Sequence, residues 1–156
     1  FFEQKMFYYK LNLIHPDFLW YGSKICKKKH LISPQWLRNV KSKKYPLWRF
    51  DTLFSKTKYN NIGFQINGGW HFTNMKSPEK IDFKMKNFLH HLEYEESGLK
   101  VDDVRKIMNE KKVFYDHAAD KKQRKWNANI SLKKENDNSL PEYITNNKEK
   151  FKNWLD

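Results

Sequence analysis

Cysteine occurs once in the 156 residues, as Cys26, so the chain can close no disulfide on itself and can build no metal centre from several thiolates. No run of about 18 apolar residues is present, which excludes a membrane-spanning helix within it. Arginine is scarce: Arg38, Arg49, Arg105 and Arg124 are the only four among 31 basic residues, leaving 27 lysines. Against them stand 18 acidic residues, and the formal net charge is +13. That sign favours an anionic partner, whether nucleic acid, a phosphorylated sugar donor or a membrane surface, and does not choose among them. Such lysine dominance beside many Asn, Ile, Phe and Tyr also fits an AT-rich coding sequence. Internal repeats and long low-complexity segments are missing as well.

What the chain does have is aromatic surface. Phe, Trp and Tyr make up 17% of it, enough to form a real core despite a mean hydropathy of -0.97. The length suits a single domain, 1–156. The chain opens on Phe1 and reads at once as strand, so it is expected to be the C-terminal portion of a longer protein.

Residues 2–14 read as one well-buried strand, closed by a His15-Pro16-Asp17 turn. Residues 18–27 read as a second strand in which Gly22-Ser23 marks a bulge or a close backbone approach. Lys27-Lys28-Lys29-His30 is a solvated rim or a contact for a diphosphate or an acidic acceptor. Ser33 caps a helix with Pro34 at its first position. Residues 45–55 form a loop carrying Trp48 and Phe50, in which Arg49 is available to an anion. A further strand is expected over 62–67. Ser77-Pro78 starts the clearest helix, with Ile81, Met85, Phe88 and Leu89 on one face. A helix over 101–112, a short strand or turn at 113–117, a charged loop at 120–125, a flexible stretch at 133–139 and a last helix from Leu140-Pro141-Glu142 complete the chain.

Two stretches carry candidate chemistry. In Asn67-Gly68-Gly69-Trp70-His71-Phe72 the paired glycines allow a positive φ and a close approach. If the residues that follow are extended, Trp70 and Phe72 share one face and His71 takes the other, where it can ligate a metal or meet an anion. The plainer alternative is a hairpin turn with Trp70 in the core and His71 solvated. The other stretch, residues 89–98, packs His90, His91, Glu93, Glu95 and Glu96 together. It is a polar helix terminus, or a site where Glu93 acts as general base and His91 touches substrate. The two histidines are adjacent and diverge by about 100° on a helix, so they cannot easily share one metal.

Taken together, Phe2-Glu3-Gln4-Lys5 with Tyr8-Tyr9, Trp20-Tyr21-Gly22-Ser23-Lys24, Gly68-Gly69-Trp70-His71-Phe72, Lys86-Asn87-Phe88 with His91-Leu92-Glu93-Tyr94, and Leu140-Pro141-Glu142-Tyr143 resemble glycosyltransferase family 17, the β-1,4-mannosyl-glycoprotein 4-β-N-acetylglucosaminyltransferases. The Gly-Gly-Trp-His run is the most specific of these. The resemblance implies an α/β fold, the C-terminal part of a GT-A-like nucleotide-sugar transferase with a mixed sheet flanked by helices. It implies transfer of N-acetylglucosamine from UDP-N-acetylglucosamine to a β-mannose or related glycan or glycoprotein acceptor, with inversion and with a divalent metal (Mn2+ or Mg2+). It also implies an Asp-x-Asp motif, which this sequence lacks. Truncation of the donor- and metal-binding half accounts for that departure and leaves a fragment expected to be inactive alone. The roles implied are Glu93 as base with Glu95 second; Trp70, Gly68, Gly69, Lys24, Arg49, His91 and Tyr94 as substrate contacts; and His71 as a metal ligand. His71 and Glu93 are expected to face one cleft. The alternatives are a basic nucleic-acid-binding module, against which stand the dispersed lysines and the missing motif of known spacing, and a non-catalytic glycan-binding relative.

Overall fold

A computed structural model describes residues 1–89, 91–116 and 125–156, without the side chains of residues 127, 128 and 137. His90, His117 and most of the charged loop expected at 120–125 lie outside the described residues. The chain is an α/β protein with a mixed sheet flanked by helices. It divides into two compact units, Phe1–Lys5 with Leu19–Gly69 and Met6–Phe18 with Trp70–Asp156. Among the described residues no helix is long and apolar enough to cross a membrane.

The expected strand over 2–14 is two strands, β1 (Gln4–Tyr8) and β2 (Leu13–Trp20). Tyr9 breaks them with a φ of 61°, a left-handed backbone that a tyrosine adopts only under constraint. The constraint is tertiary: its hydroxyl donates to the Lys112 carbonyl at 2.9 Å and accepts from the Phe114 amide at 3.3 Å. His15-Pro16-Asp17 is not a turn but lies inside β2. The short β6 (Lys133–Lys134) pairs with β2 only through Leu13 and Ile14, so Pro16, which has no N–H, is asked for no donor there. The sheet runs β3-β1-β2-β6, with β3 spanning Trp70–Thr73. β6 falls where a flexible stretch was expected.

In the second unit, α2 (Pro78–Lys86), α3 (His91–Glu96) and α4 (Val101–Asn109) pack with a two-stranded sheet, β4 (Lys112–Tyr115) and β5 (Trp126–Ser131). The Ser77 hydroxyl caps α2 by accepting from the Lys80 amide. Ile81 and Met85 are buried as their spacing predicts, whereas Phe88 and Leu89 are exposed because the helix has already stopped at Asn87. One core gathers Tyr8, Ile81, Tyr94, Val104, Val113 and Phe114 among others. A second gathers Phe7, Leu11, Ile14, Leu140 and Ile144, with Phe72 against it. The last helix is two short ones, α5 (Glu142–Thr145) and α6 (Lys148–Phe151).

The final residues are strapped onto the β1–β2 turn. Leu11 N donates to the Trp154 carbonyl at 2.7 Å, and Asp156 N donates to Asn12 Oδ1 at 2.8 Å. Lys111 pairs with the Asp156 carboxylate at 2.6 Å.

In the first unit, Ser33 caps the six-residue α1 (Pro34–Asn39) by accepting from the Trp36 amide at 3.0 Å. The expected strand over 62–67 reduces to one parallel bridge, Phe2 with Gln65.

Candidate functional site

The glycine corner sits where the backbone of residues 65–69 runs beside Phe1–Lys5. Gln65 N donates to the Phe1 carbonyl at 2.8 Å, Gly68 N to the Glu3 carbonyl at 2.7 Å, and Lys5 N to the Gly69 carbonyl at 3.2 Å. Each glycine is needed for its own reason. Gly69 has φ +118°, which strains any L side chain. A Cβ on Gly68 would stand 2.8 Å from Phe2 Cβ, closer than carbon atoms tolerate.

Other resembling segments meet the same stretch. Tyr21 Oη donates to the Glu3 carboxylate at 2.8 Å, which raises the phenol's pKa. Ser23 Oγ donates to Gln4 Oε1 at 2.8 Å, and Phe2 N donates to the Ser23 carbonyl at 3.1 Å. These side-chain pairs went unforeseen; only the order of motifs along the chain hinted at them.

Lys24 and Arg49, expected as substrate contacts, are both occupied by the protein itself. Lys24 Nζ donates to the carbonyls of Arg38 and Val40, at the C-terminal end of α1, where an ammonium satisfies acceptors the helix leaves open. Burial, then Lys41 and Arg38, lower its pKa. Arg49 grips Asp51 through two hydrogen bonds of 2.6 and 2.7 Å, and Lys58 reaches the same carboxylate at 2.9 Å. These cations hold Asp51 well below the usual carboxylate range. Lys24 also lines a hollow of 670 Å³ in this unit, together with Cys26, His30, Trp36, Tyr59 and Phe1.

In the second unit, β3 is extended. Trp70 Nε1 donates to the Ser139 carbonyl at 2.7 Å while its ring stays 39% exposed. Phe72 packs on Phe7, with ring centroids 5.3 Å apart, in the cluster that contains Leu140. His71 is half-buried, and burial followed by the Lys84 ammonium lowers its pKa. A cationic neighbour is poor company for a divalent ion. Among the described residues no group of three or more His, Cys, Asp and Glu is placed to hold one. His71 alone does not make a metal centre.

On α3, Tyr94 is a core residue rather than a sugar contact. It is 1% exposed and donates to Asp82 Oδ1 at 2.9 Å, while Lys86 holds the other carboxylate oxygen at 2.8 Å. Burial, then this hydrogen bond, raises its pKa far above a free phenol's. His91 is exposed, with Nδ1 3.1 Å from the Phe88 carbonyl. Glu95 is exposed; Glu93 is half-buried, and its charge acts on Tyr115. Neither His71 nor Glu93 lines the 670 Å³ hollow or a second one of 390 Å³ bounded by Tyr9, Lys76, Met108, Lys111 and Trp154.

One buried titratable group stands apart from both candidate stretches. His15 is 4% exposed, and neither ring nitrogen has a hydrogen-bond partner among the described residues. It lies against Phe18 and Tyr8, and burial lowers its pKa against the opposing pull of Asp116 and Asp17. In the sequence it was masked by the turn-like His-Pro dipeptide. Comparisons with protein-family models, with curated proteins and with solved structures find no match for this chain.

Proposed function

We propose that this chain is the acceptor-side part of an inverting N-acetylglucosaminyltransferase. The observation that carries the reading is the meeting, within the first unit, of three separated segments behind the family resemblance. Glu3 and Gln4 accept from Tyr21 and Ser23, and the backbone of Glu3 and Lys5 is hydrogen-bonded to Gly68 and Gly69.

In this reading the acceptor is a β-mannose-containing glycan and the donor UDP-N-acetylglucosamine. The acceptor hydroxyl gives its proton to a carboxylate, Glu93 first and Glu95 second, as its oxygen attacks the anomeric carbon and the diphosphate leaves. The exposed face of the Trp70 ring stacks on a sugar, and the exposed His91 ring hydrogen-bonds it. The divalent metal implied by the resemblance finds no ligand set among the described residues, so no step is assigned to it.

Titration of the chain with a mannose-terminated N-glycan core, followed by tryptophan fluorescence and calorimetry, tests this. Saturable binding lost on Trp70→Ala, with no sugar transfer by the chain alone, is the expected result. Binding to duplex DNA with a slope of several units in log salt, and none to the glycan, would favour the basic-module reading instead. Where transfer is restored by adjoining sequence, Glu93→Gln should abolish turnover and keep binding; full turnover would remove Glu93 as the base. Unchanged transfer with an Asp-x-Asp motif still missing would overturn the donor site implied.

A further inference from the structure

Residues 41–58 of the first unit form a loop turned inside out. Lys41 N donates to the Thr57 carbonyl at 2.8 Å and closes its neck. At its centre the polar groups are buried or paired with one another, while the lysines near its neck stay exposed. Thr52 is buried, its hydroxyl donating to the Arg49 carbonyl at 2.7 Å, and Asp51 is held by Arg49 and Lys58. The apolar groups face out: Leu47, Trp48, Phe50, Leu53 and Phe54 are 71–89% exposed. Five large apolar side chains exposed within eight residues make a patch of the kind that marks an interaction site.

Charge indicates the partner. The first unit holds twelve of the 31 basic residues and only two acidic ones, Glu3 and Asp51, for a net +10. Lys41, Lys43, Lys44 and Lys56, beside the neck, are exposed. We propose that this loop is an interfacial anchor for an anionic lipid surface. Its apolar side chains enter the boundary between headgroups and acyl chains, and the neck lysines meet the anionic headgroups. Lipid fits better than nucleic acid for two reasons. Leu47 and Leu53 have no π-face for a base to stack on. The cations standing among the aromatics, Arg49 and Lys58, are bound to Asp51 instead of being offered to phosphates.

Sedimentation of the whole chain with vesicles decides it, using phosphatidylcholine alone and an equal mixture with phosphatidylserine. The chain should bind the mixed vesicles, release as salt rises, and bind the neutral ones weakly. Leu47→Ser with Phe54→Ser should weaken binding at least about tenfold with circular dichroism unchanged. Lys43→Gln and Lys44→Gln should each cost about fivefold. Should the serine variant misfold, quenching of tryptophan fluorescence by brominated lipid reads insertion in the unaltered chain, and Trp48→Phe should reduce it. Equal binding to both vesicles, serine variants that bind as well as the parent, or quenching indifferent to Trp48 would overturn the proposal. So would duplex DNA binding without vesicle binding, or a concentration-dependent dimer that the serine variants abolish.

Discussion

The two units differ in what they do with their apolar side chains. Both buried clusters belong to the second unit. The first unit buries only Val40 and Thr52 among the described residues, yet it exposes ten large hydrophobic residues and carries +10 of the +13 net charge. The second unit is held by two buried apolar clusters; the first is held by hydrogen bonds around the glycine corner, Lys24 and Asp51 and by half-buried ring contacts such as Phe1 on Phe64 and Trp36 on Tyr59. A region organised by polar contacts can leave apolar surface in water, and that is where a partner is to be sought.

The contrast can be broken most forcefully at Phe114, fully buried beneath Tyr9 and Trp126. Phe114→Ala should cost about 3–5 kcal/mol in urea unfolding, whereas Phe54→Ala should leave the midpoint in place. Equal effects would abolish the distinction. Tyr94→Phe should cost about 1.5–3 kcal/mol by removing a hydrogen bond to the buried Asp82, read from the same curves. No change there would mean that Lys86 suffices for that carboxylate.

In the first unit, Gly69→Ala should cost about 1–3 kcal/mol through its positive φ. Gly63→Ala, with open space around its Cβ, serves as the control. Amide exchange near Phe1–Lys5 is the sensitive measurement, since local opening is what a small polar-bonded unit shows first.

The smallest effect is on acidity. Burial keeps the folded-state pKa of His15 below that of the unfolded chain. As pH falls below about 6.5 the unfolded state takes up the proton first, so stability is complete at neutral pH and declines toward the depressed folded value. The slope is at most about 1.4 kcal/mol per pH unit for that proton. His71 shifts in the same direction. Urea midpoints taken on either side of pH 6.5 should separate for the parent and draw together in His15→Phe; an unaltered slope would place the effect elsewhere.

What the sequence disclosed was local chemistry. Ser33 and Ser77, each followed by proline, mark helix starts because the cap and first-turn geometry lie within four residues. Paired glycines disclosed the corner. The apolar spacing of α2 was legible but overran, since Phe88 and Leu89 continue the period after Asn87 has ended the helix. The break at Tyr9 was illegible because its cause, Lys112 and Phe114, lies over a hundred residues away. The candidate site suffered the same loss: the resemblance implied Tyr94 as a substrate contact, while its burial against Asp82 depends on a helix twelve residues away, and the occupation of Lys24 and Arg49 depended on carbonyls and a carboxylate brought in by the fold.

The knot between Asn12 and Asp156 spans 144 positions. During synthesis the early strands must therefore wait, with part of their inner surface uncovered, until Asp156 has emerged. Contacts of such long span slow folding, and they make the second unit sensitive to loss of its last four residues, the ones that fasten the opening turn.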